Sequence, residues 1–253
     1  MILKCDASQL EWRSYLDLSR DPVGIQEIIE LQDVHTNNQK RFGLPTRLVS
    51  KTFLFRWIYR GSAYAYSVDP NFSIVSSHVP FWQEVIDTAN SKYHVLHSFQ
   101  NEVIRRAMRK EVIIIPSGRE FFFEPKLGKN GDKYYDEKQI TNYINQGYGN
   151  DLMAVCRVTL RNRLIKKYDM SKVRPFNTVH DDIEVDVDNN PDLLYNICIE
   201  MENAFSDIPK NFNKWYKYDF ALPLAGEVSF GHNLLEMTKF SREKGIEQFK
   251  EIL

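Results

Sequence analysis

The chain contains 253 residues, 43% of them hydrophobic and 26% charged, so it can bury the core of one large domain or two modest ones. Its formal net charge of -1 gives no overall electrostatic support for a polyanionic partner. Cys5, Cys156 and Cys198 form no CxxC motif or Cys/His cluster, which argues against a disulfide framework or a zinc site. Without a membrane-length apolar run or a signal-peptide layout, we expect a protein of the cytosol, or of a host's cytosol.

The first third of the chain predicts a strand followed by helices. Alternation over residues 2–5 indicates a short strand, and residues 9–29 read as helical, with an apolar face on one side. We place four residues on that face: Ile25, Ile28, Ile29 and Leu31. Residues 46–59 start with an N-cap threonine and are followed by Gly61, which predicts a single helix.

The rest of the chain alternates between long helices and short strands. Helical periodicity runs over residues 93–111 and 136–167, and two β-rich runs at 112–124 surround Pro116 and Gly118, which indicates a hairpin. Residues 128–131 read as a loop. Residues 174–187 supply two strands on either side of His180 and Asp181. The fold class is therefore mixed α/β.

Carboxylates from separate strands form the first candidate site. Asp6 follows the first predicted strand, and Asp181 and Asp182 lie at the turn between two later strands. Side by side, such hard oxygen ligands suit Mg²⁺, which shares its remaining positions with water and substrate phosphates. This indicates metal-assisted phosphoryl transfer, although a lone "HDD" is more often an acidic turn.

A stripe of cations and aromatic rings on the helix at 46–59 forms the second candidate site. Its members are spaced four residues apart, so each step turns only about 40° around the helix. They are Arg47, Lys51, Phe55 and Tyr59. The cations could meet phosphate oxygens while the Phe55 ring lay against a sugar or base, as in a nucleotide site. An ordinary amphipathic helix is the alternative.

Taken in order, these patterns resemble the motifs of the family A DNA polymerases, the bacterial DNA polymerase I type. The first motif is matched by Asp6, Ser8, Gln9, Glu11 and Arg13, the second by Arg47, Lys51, Phe55 and Tyr59, and the third by His180, Asp181 and Asp182. The segment "DVHTNNQKRFGL" places His35 at a phosphate-contacting position of the family. The segment "KQITNYINQGYGND" matches a DNA-contacting helix through Lys138, Asn142, Gln146, Gly147 and Asp151. Together with "LPLAGEVSFGHN", the resemblance runs from residue 2 to about residue 237.

The resemblance implies a right-hand polymerase architecture with an antiparallel palm sheet and helical fingers. The expected subdomains are palm over residues 1–30, fingers over 31–130 with the motif helix at about 46–60, and palm again over 131–253 with its motif at 180–182. It implies a DNA-directed DNA polymerase of DNA replication that adds dNTPs to a primer 3′-hydroxyl. Two Mg²⁺ ions would be held by Asp6, Asp181 and the backbone carbonyl of Ala7, with a lesser contribution from Asp182.

The resemblance also implies roles for the other matched residues. Arg47, Lys51 and His35 would grip the triphosphate, with Lys51 donating a proton to the leaving pyrophosphate. Glu11 would exclude a ribose 2′-hydroxyl, and Phe55, which lacks a ring hydroxyl, would disfavour dideoxynucleotides. Tyr59 would stack near the template base. The remaining matches are Gln9 for the dNTP and Arg13, Lys138, Asn142, Gln146 and His180 for primer–template DNA.

Two positions depart from the family pattern. Arg60 separates Tyr59 from Gly61 where the family has glycine directly after the tyrosine, and Asp182 replaces a glutamate.

No thumb or 3′–5′ exonuclease region precedes Asp6, so we expect either a fragment or, by preference, a split polymerase completed by a second polypeptide, as in a bacteriophage replisome. A catalytically inactive polymerase fold that binds nucleic acid or serves a structural role is the rival. A single-subunit RNA polymerase fits Glu11 and Phe55 poorly.

Overall fold

The structure, a computed structural model, describes residues 1–250 and 252, which form nine strands and twelve helices. The strands are β1 (Ile2–Ala7), β2 (Ile113–Ile114), β3 (Glu120–Phe121), β4 (Lys126–Leu127), β5 (Lys133–Tyr134), β6 (Val173–Val179), β7 (Asp182–Val187), β8 (Gly226–Gly231) and β9 (Thr238–Lys239). The helices are α1 (Leu10–Ser19), α2 (Pro22–Ile29), α3 (Val34–Arg41), α4 (Arg47–Ile58), α5 (Ala63–Val68), α6 (Pro70–Ser73), α7 (Val79–Lys92), α8 (His94–Met108), α9 (Glu137–Lys167), α10 (Pro191–Ser206), α11 (Ile208–Tyr216) and α12 (Glu247–Lys250).

The chain divides into two compact units, here named the sheet unit and the helical unit. The sheet unit consists of Met1–Leu10 with Tyr148–Leu253, and the helical unit is Glu11–Gly147. A five-stranded sheet in the order β6-β7-β1-β8-β9 lies in the sheet unit, and all neighbouring strands are antiparallel. The predicted mixed α/β class with an antiparallel sheet is therefore confirmed.

Alternation along β1 and β7 separates a buried face of the sheet from a face that carries charge. Leu3 and Cys5 of β1 are fully buried, as are Val185 and Val187 of β7, and α10 packs against β1 and β8. Because side chains alternate along a strand, the charged residues of β1 and β7 project from the opposite face. The strands predicted at residues 2–5 and on either side of residues 180–181 are confirmed.

The helical unit is built around α4 and an aromatic core. Thr46 caps α4 by accepting a hydrogen bond from Val49 N at 3.2 Å, as the sequence predicts for a helix at 46–59. The Phe53 ring of α4 packs on Tyr66, with ring centroids 5.0 Å apart, and Tyr66 stacks on Trp82 at 5.2 Å. The predicted long helices at 93–111 and 136–167 are confirmed by α8 and α9, and the predicted hairpin by β2 and β3.

The prediction of continuous helix over residues 9–29 is wrong. The helix ends at Ser19, Arg20 adopts a left-handed φ of 57°, and Asp21 starts α2 by accepting a hydrogen bond from Gly24 N at 3.0 Å. Pro22 explains the break, because proline favours the first turn of a new helix and cannot donate within a continuing one. The predicted apolar face is also wrong at two of its members, since Ile29 is 58% exposed and Leu31 is 86% exposed.

Across residues 1–250 and 252, none of the helices combines the length and apolar character needed to cross a bilayer.

Candidate active site

The sheet unit brings the predicted carboxylates together at one end of β1 and β7. Asp6 lies directly opposite Asp182 in the antiparallel register. Asp181 occupies the short turn between β6 and β7, where its carbonyl accepts a hydrogen bond from Ala7 N at 2.9 Å. His180, the other residue of this turn, has a left-handed φ of 53° and is exposed. The strand pairing therefore places Asp6, Ala7, Asp181 and Asp182 at a single point of the sheet.

A lysine that the sequence interpretation missed is part of this carboxylate group. Lys4 Nζ lies 2.6 Å from Asp182 Oδ2. Asp182 is only 4% exposed, and its other carboxylate oxygen, Oδ1, is buried without a hydrogen-bond partner. The signal was present in the sequence, because Lys4 precedes Asp6 by two residues and must share its face of the strand.

The electrostatics of the group show a local excess of negative charge. Partial desolvation, followed by the charge of Asp181, raises the pKa of Asp6 to about 6. The hydrogen bond to Asp182 raises the pKa of Lys4 and so favours its charged form. Lys4 thus offsets the charge of Asp182, while Asp6 and Asp181 still repel each other.

The donors at this point fit a hard divalent cation. Within residues 1–250 and 252, no three His, Cys, Asp or Glu side chains are grouped so as to hold a metal ion. Mg²⁺ does not require such a cage, since one or two carboxylates with water and substrate phosphates suffice. Two adjacent carboxylates and the raised pKa of Asp6 match that requirement, because a divalent cation would remove their mutual repulsion.

In the helical unit, α3 and α4 position the predicted nucleotide-binding cations. Arg47 Nε donates to Asp33 Oδ2 at 2.8 Å, and this contact holds the pKa of Asp33 well below its usual range. Asp33 also caps α3, where it accepts a hydrogen bond from Thr36 N at 3.2 Å. Lys51 lies one turn further along α4 and is exposed, and no described carboxylate lies within ion-pair distance of its Nζ. Sequence reasoning did not select Asp33, although an aspartate directly before a helix is a typical N-cap.

His35 lies beneath these cations. It is 3% exposed, its Nδ1 is buried without a hydrogen-bond partner, and its ring centroid lies 6.3 Å from that of Phe55. Desolvation, and then the charges of Arg47 and Lys51, lower the pKa of His35 to about 4. The imidazole is therefore neutral at pH 7, and a nearby phosphate would raise its pKa by opposing the two cations.

Tyr59 connects the end of α4 to α1 and α9. Asn145 Nδ2 donates to both Glu11 O at 3.1 Å and Tyr59 Oη at 3.3 Å, and so bridges the two residues. Desolvation, followed by the charge of Glu11, raises the pKa of Tyr59 far above its usual range. Asn145, which the motif comparison did not select, thus links two sequence-predicted residues, Glu11 and Tyr59.

The predicted DNA-contacting residues lie on several elements. In the helical unit, Lys138 and Gln146 of α9 are exposed, and Asn142 has a buried Oδ1 without a hydrogen-bond partner. Arg13 lies on α1, and desolvation lowers its pKa. Gln9, which is predicted to contact the dNTP rather than DNA, follows β1 in the sheet unit with a left-handed φ of 56°.

Comparison with known proteins agrees with this architecture. The sequence model of DNA polymerase family A matches residues 1–236. No curated protein sequence matches the chain significantly. Among solved structures, the POL domain of Pol1 from M. smegmatis, in complex with DNA primer-template and dNTP, is similar in fold with a TM-score of 0.68 and 18% identity. The match covers 92% of this chain and 39% of that chain. Because the family model matches almost the whole length of the chain, the chain belongs to DNA polymerase family A.

Proposed function

We propose that the chain is the catalytic part of a template-directed DNA polymerase that adds dNTPs to a primer 3′-hydroxyl during DNA replication. The observation that carries this proposal is the pairing of β1 with β7, which sets Asp6 beside Asp181 of the β6–β7 turn and Asp182 at the start of β7. The solved relative from M. smegmatis contains primer-template DNA and dNTP, which supports the same substrates for this chain. The sheet unit would then contribute the palm and the helical unit the fingers, while the subdomain boundaries given above remain predictions.

The carboxylate group would hold two Mg²⁺ ions through Asp6, Asp181 and the Ala7 carbonyl. When bound, these ions would acidify the primer hydroxyl and neutralise charge on the leaving pyrophosphate. Asp6 must be ionised to serve as a ligand, and its pKa of about 6 leaves it mostly ionised at neutral pH. Asp182 already forms an ion pair with Lys4, so we assign Asp182 a minor role in metal binding.

The triphosphate would be bound by Arg47, Lys51 and His35. Lys51 is exposed, so it can contact phosphate without breaking an existing ion pair and can serve as the proton donor to pyrophosphate. Arg47 would bind a phosphate oxygen either in addition to Asp33 or in its place, because the guanidinium has several N–H donors. His35 would contribute a neutral N–H donor until phosphate raises its pKa.

Sugar choice would depend on Glu11 and Phe55. Asn145 links the main chain of Glu11 to the Tyr59 hydroxyl, and the Glu11 carboxylate would fill the space that a ribose 2′-hydroxyl needs. Phe55 has no hydroxyl to replace a missing 3′-hydroxyl, and it should disfavour dideoxynucleotides. Primer-template contacts are assigned to Arg13, Lys138, Asn142, Gln146 and His180, with Gln9 near the dNTP.

The proposal includes a second polypeptide that carries the thumb and the 3′–5′ exonuclease. The strand β6 is an edge of the sheet and exposes Phe176 and Val179, and such unpaired edges are often covered by another chain. Titrating a candidate partner into a primer-extension assay at several salt concentrations tests this part. A partner that supplies phosphate contacts should increase extension most at higher salt. Salt-tolerant extension by the 253-residue chain alone would contradict the requirement for a partner.

The metal assignment is tested by primer extension with substituted carboxylates. Asp181→Ala should abolish nucleotide addition while DNA binding stays within about twofold of the wild type, since the metal stabilises the transition state rather than the duplex. Asp182→Ala should be milder. If Asp181→Ala retained more than a few per cent of wild-type turnover, the assignment would be wrong.

A further inference from the structure

Arg60 occupies a backbone position that ordinarily favours glycine. It follows the C-cap residue Tyr59 with a left-handed φ of 61°. Arg60 N donates to Trp57 O at 2.9 Å, and Gly61 N donates to Arg56 O at 3.0 Å, which is the hydrogen-bond pattern of a Schellman helix end. Left-handed backbone is unfavourable for a residue with a Cβ, so glycine at position 60 would relieve backbone strain.

Gly61 cannot exchange places with Arg60. A Cβ on Gly61 would lie 2.8 Å from Tyr66 Oη and 2.9 Å from Arg56 Cγ, closer than such atoms approach. Glycine is therefore required at position 61 for packing, while position 60 carries an arginine despite its backbone conformation. This accounts for the order Tyr-Arg-Gly in the sequence.

The side chain of Arg60 makes one directed contact with α9. Arg60 Nη2 lies 3.0 Å from Glu137 Oε2, and Glu137 is the first residue of that helix. The Arg60 side chain is 23% exposed, so much of it is enclosed by protein. Its charge also contributes, after desolvation, to a lowered pKa of His97.

Two consecutive residues at the end of α4 thus contact α9 at separate points. Tyr59 meets Asn145, and Arg60 meets Glu137. These partners are eight residues apart, which is about 12 Å along a helix. Contacts at two separated points constrain the orientation of Tyr59 and Arg60 relative to α9 as well as their distance from it.

We propose that Arg60 and Glu137 form a latch that holds Tyr59 against Glu11 and thereby sharpens discrimination between deoxyribose and ribose. Arg60 is a positioning residue, because it acts through Tyr59 and Glu11. This inference rests on the proposed polymerase function and deepens it, since it adds a specificity determinant to the nucleotide site.

The test compares Arg60→Gly with a matched control, Lys110→Gly. Lys110 also has a left-handed φ, 59°, and ends α8 with the same hydrogen bonds, from Lys110 N to Ala107 O at 2.9 Å and from Glu111 N to Arg106 O at 3.0 Å. Both substitutions place glycine where it is favoured, so both variants should keep or slightly increase the Tm. Only Arg60→Gly removes the latch.

Single-nucleotide incorporation with dNTP and rNTP gives the first readout. Arg60→Gly should lower the dNTP/rNTP ratio of kcat/KM at least about threefold, Arg60→Lys should retain part of the selectivity, and Lys110→Gly should match the wild type. A lost ratio in Arg60→Gly together with an undiminished Tm would show that the loss of selectivity does not arise from destabilisation of the fold. An unchanged ratio in Arg60→Gly would overturn the proposal.

A double-mutant cycle tests the latch independently of nucleotide addition. Arg60→Gln, Glu137→Gln and the double variant should show a non-additive change in Tm, because the two residues interact directly. Additive changes would overturn the latch. If the wild type incorporated no nucleotide at all, the proposed function and its link to sugar choice would fail, and the cycle would still decide whether the Arg60–Glu137 interaction stabilises the unit.

Discussion

The contact between Lys4 and Asp182 predicts a loss of stability in Lys4→Met, and its magnitude follows from the burial of Asp182. Lys4→Met removes the cation beside a carboxylate that is 4% exposed and has no partner for Oδ1. Removing one partner of a fully buried ion pair costs about 3–5 kcal/mol. The Lys4 side chain remains 34% exposed, so water can partly replace it, and we expect about 2 kcal/mol. For a chain of this size the Tm should fall by about 4–8 °C.

Thermal unfolding in the presence of EDTA is the assay. Lys250→Met serves as the control, because it breaks an exposed pair with Glu247 and should change the Tm by about 2 °C or less. Adding Asp182→Asn to Lys4→Met should recover most of the loss, since no buried charge is then left unpaired. Equal Tm values for Lys4→Met and Lys250→Met would refute the reasoning.

Three further predictions concern the nucleotide and metal sites. Glu11→Ala should lower the dNTP/rNTP ratio of kcat/KM by at least about tenfold, and an unaltered ratio would show that another group excludes the ribose 2′-hydroxyl. Phe55→Tyr should ease dideoxynucleotide incorporation, measured as the ddNTP/dNTP ratio, because the added hydroxyl can replace the missing 3′-hydroxyl. Asp6 has a pKa raised to about 6, so its stabilising contribution is present at about pH 4 and is lost as pH rises through 6. The Tm advantage of Asp6→Asn over the wild type in EDTA should therefore grow from pH 4 to pH 7, and a constant difference would contradict the raised pKa.

The sequence predicted the elements that carry the motifs better than the connections between them. Helix α4 was predictable because Thr46 and Gly61 bound an uninterrupted helical segment. The break between α1 and α2 was missed although Asp21 and Pro22 together signal a new helix start. Periodicity over a short window does not distinguish one helix from two that meet at a sharp turn.

Pairwise contacts between distant residues were the least predictable part of the site. The Lys4–Asp182 contact depends on the register of β1 against β7, and the Arg60–Glu137 contact depends on how α4 ends beside α9. Neither the register nor the crossing of two helices is encoded in a local pattern. Motif comparison selected Asp6, whose chemistry is recognisable from its neighbours in the sequence, and it missed residues whose role depends on a partner.

Template-directed incorporation tests the central claim most directly. A labelled primer is annealed to four templates that differ only in the next base, and each duplex is offered each dNTP singly with Mg²⁺ and, where required, the partner polypeptide. The wild-type chain should add the complementary nucleotide on every template, and Asp6→Asn should add none while still binding the duplex. Addition that ignores the template base, or equal addition by Asp6→Asn, would contradict the account.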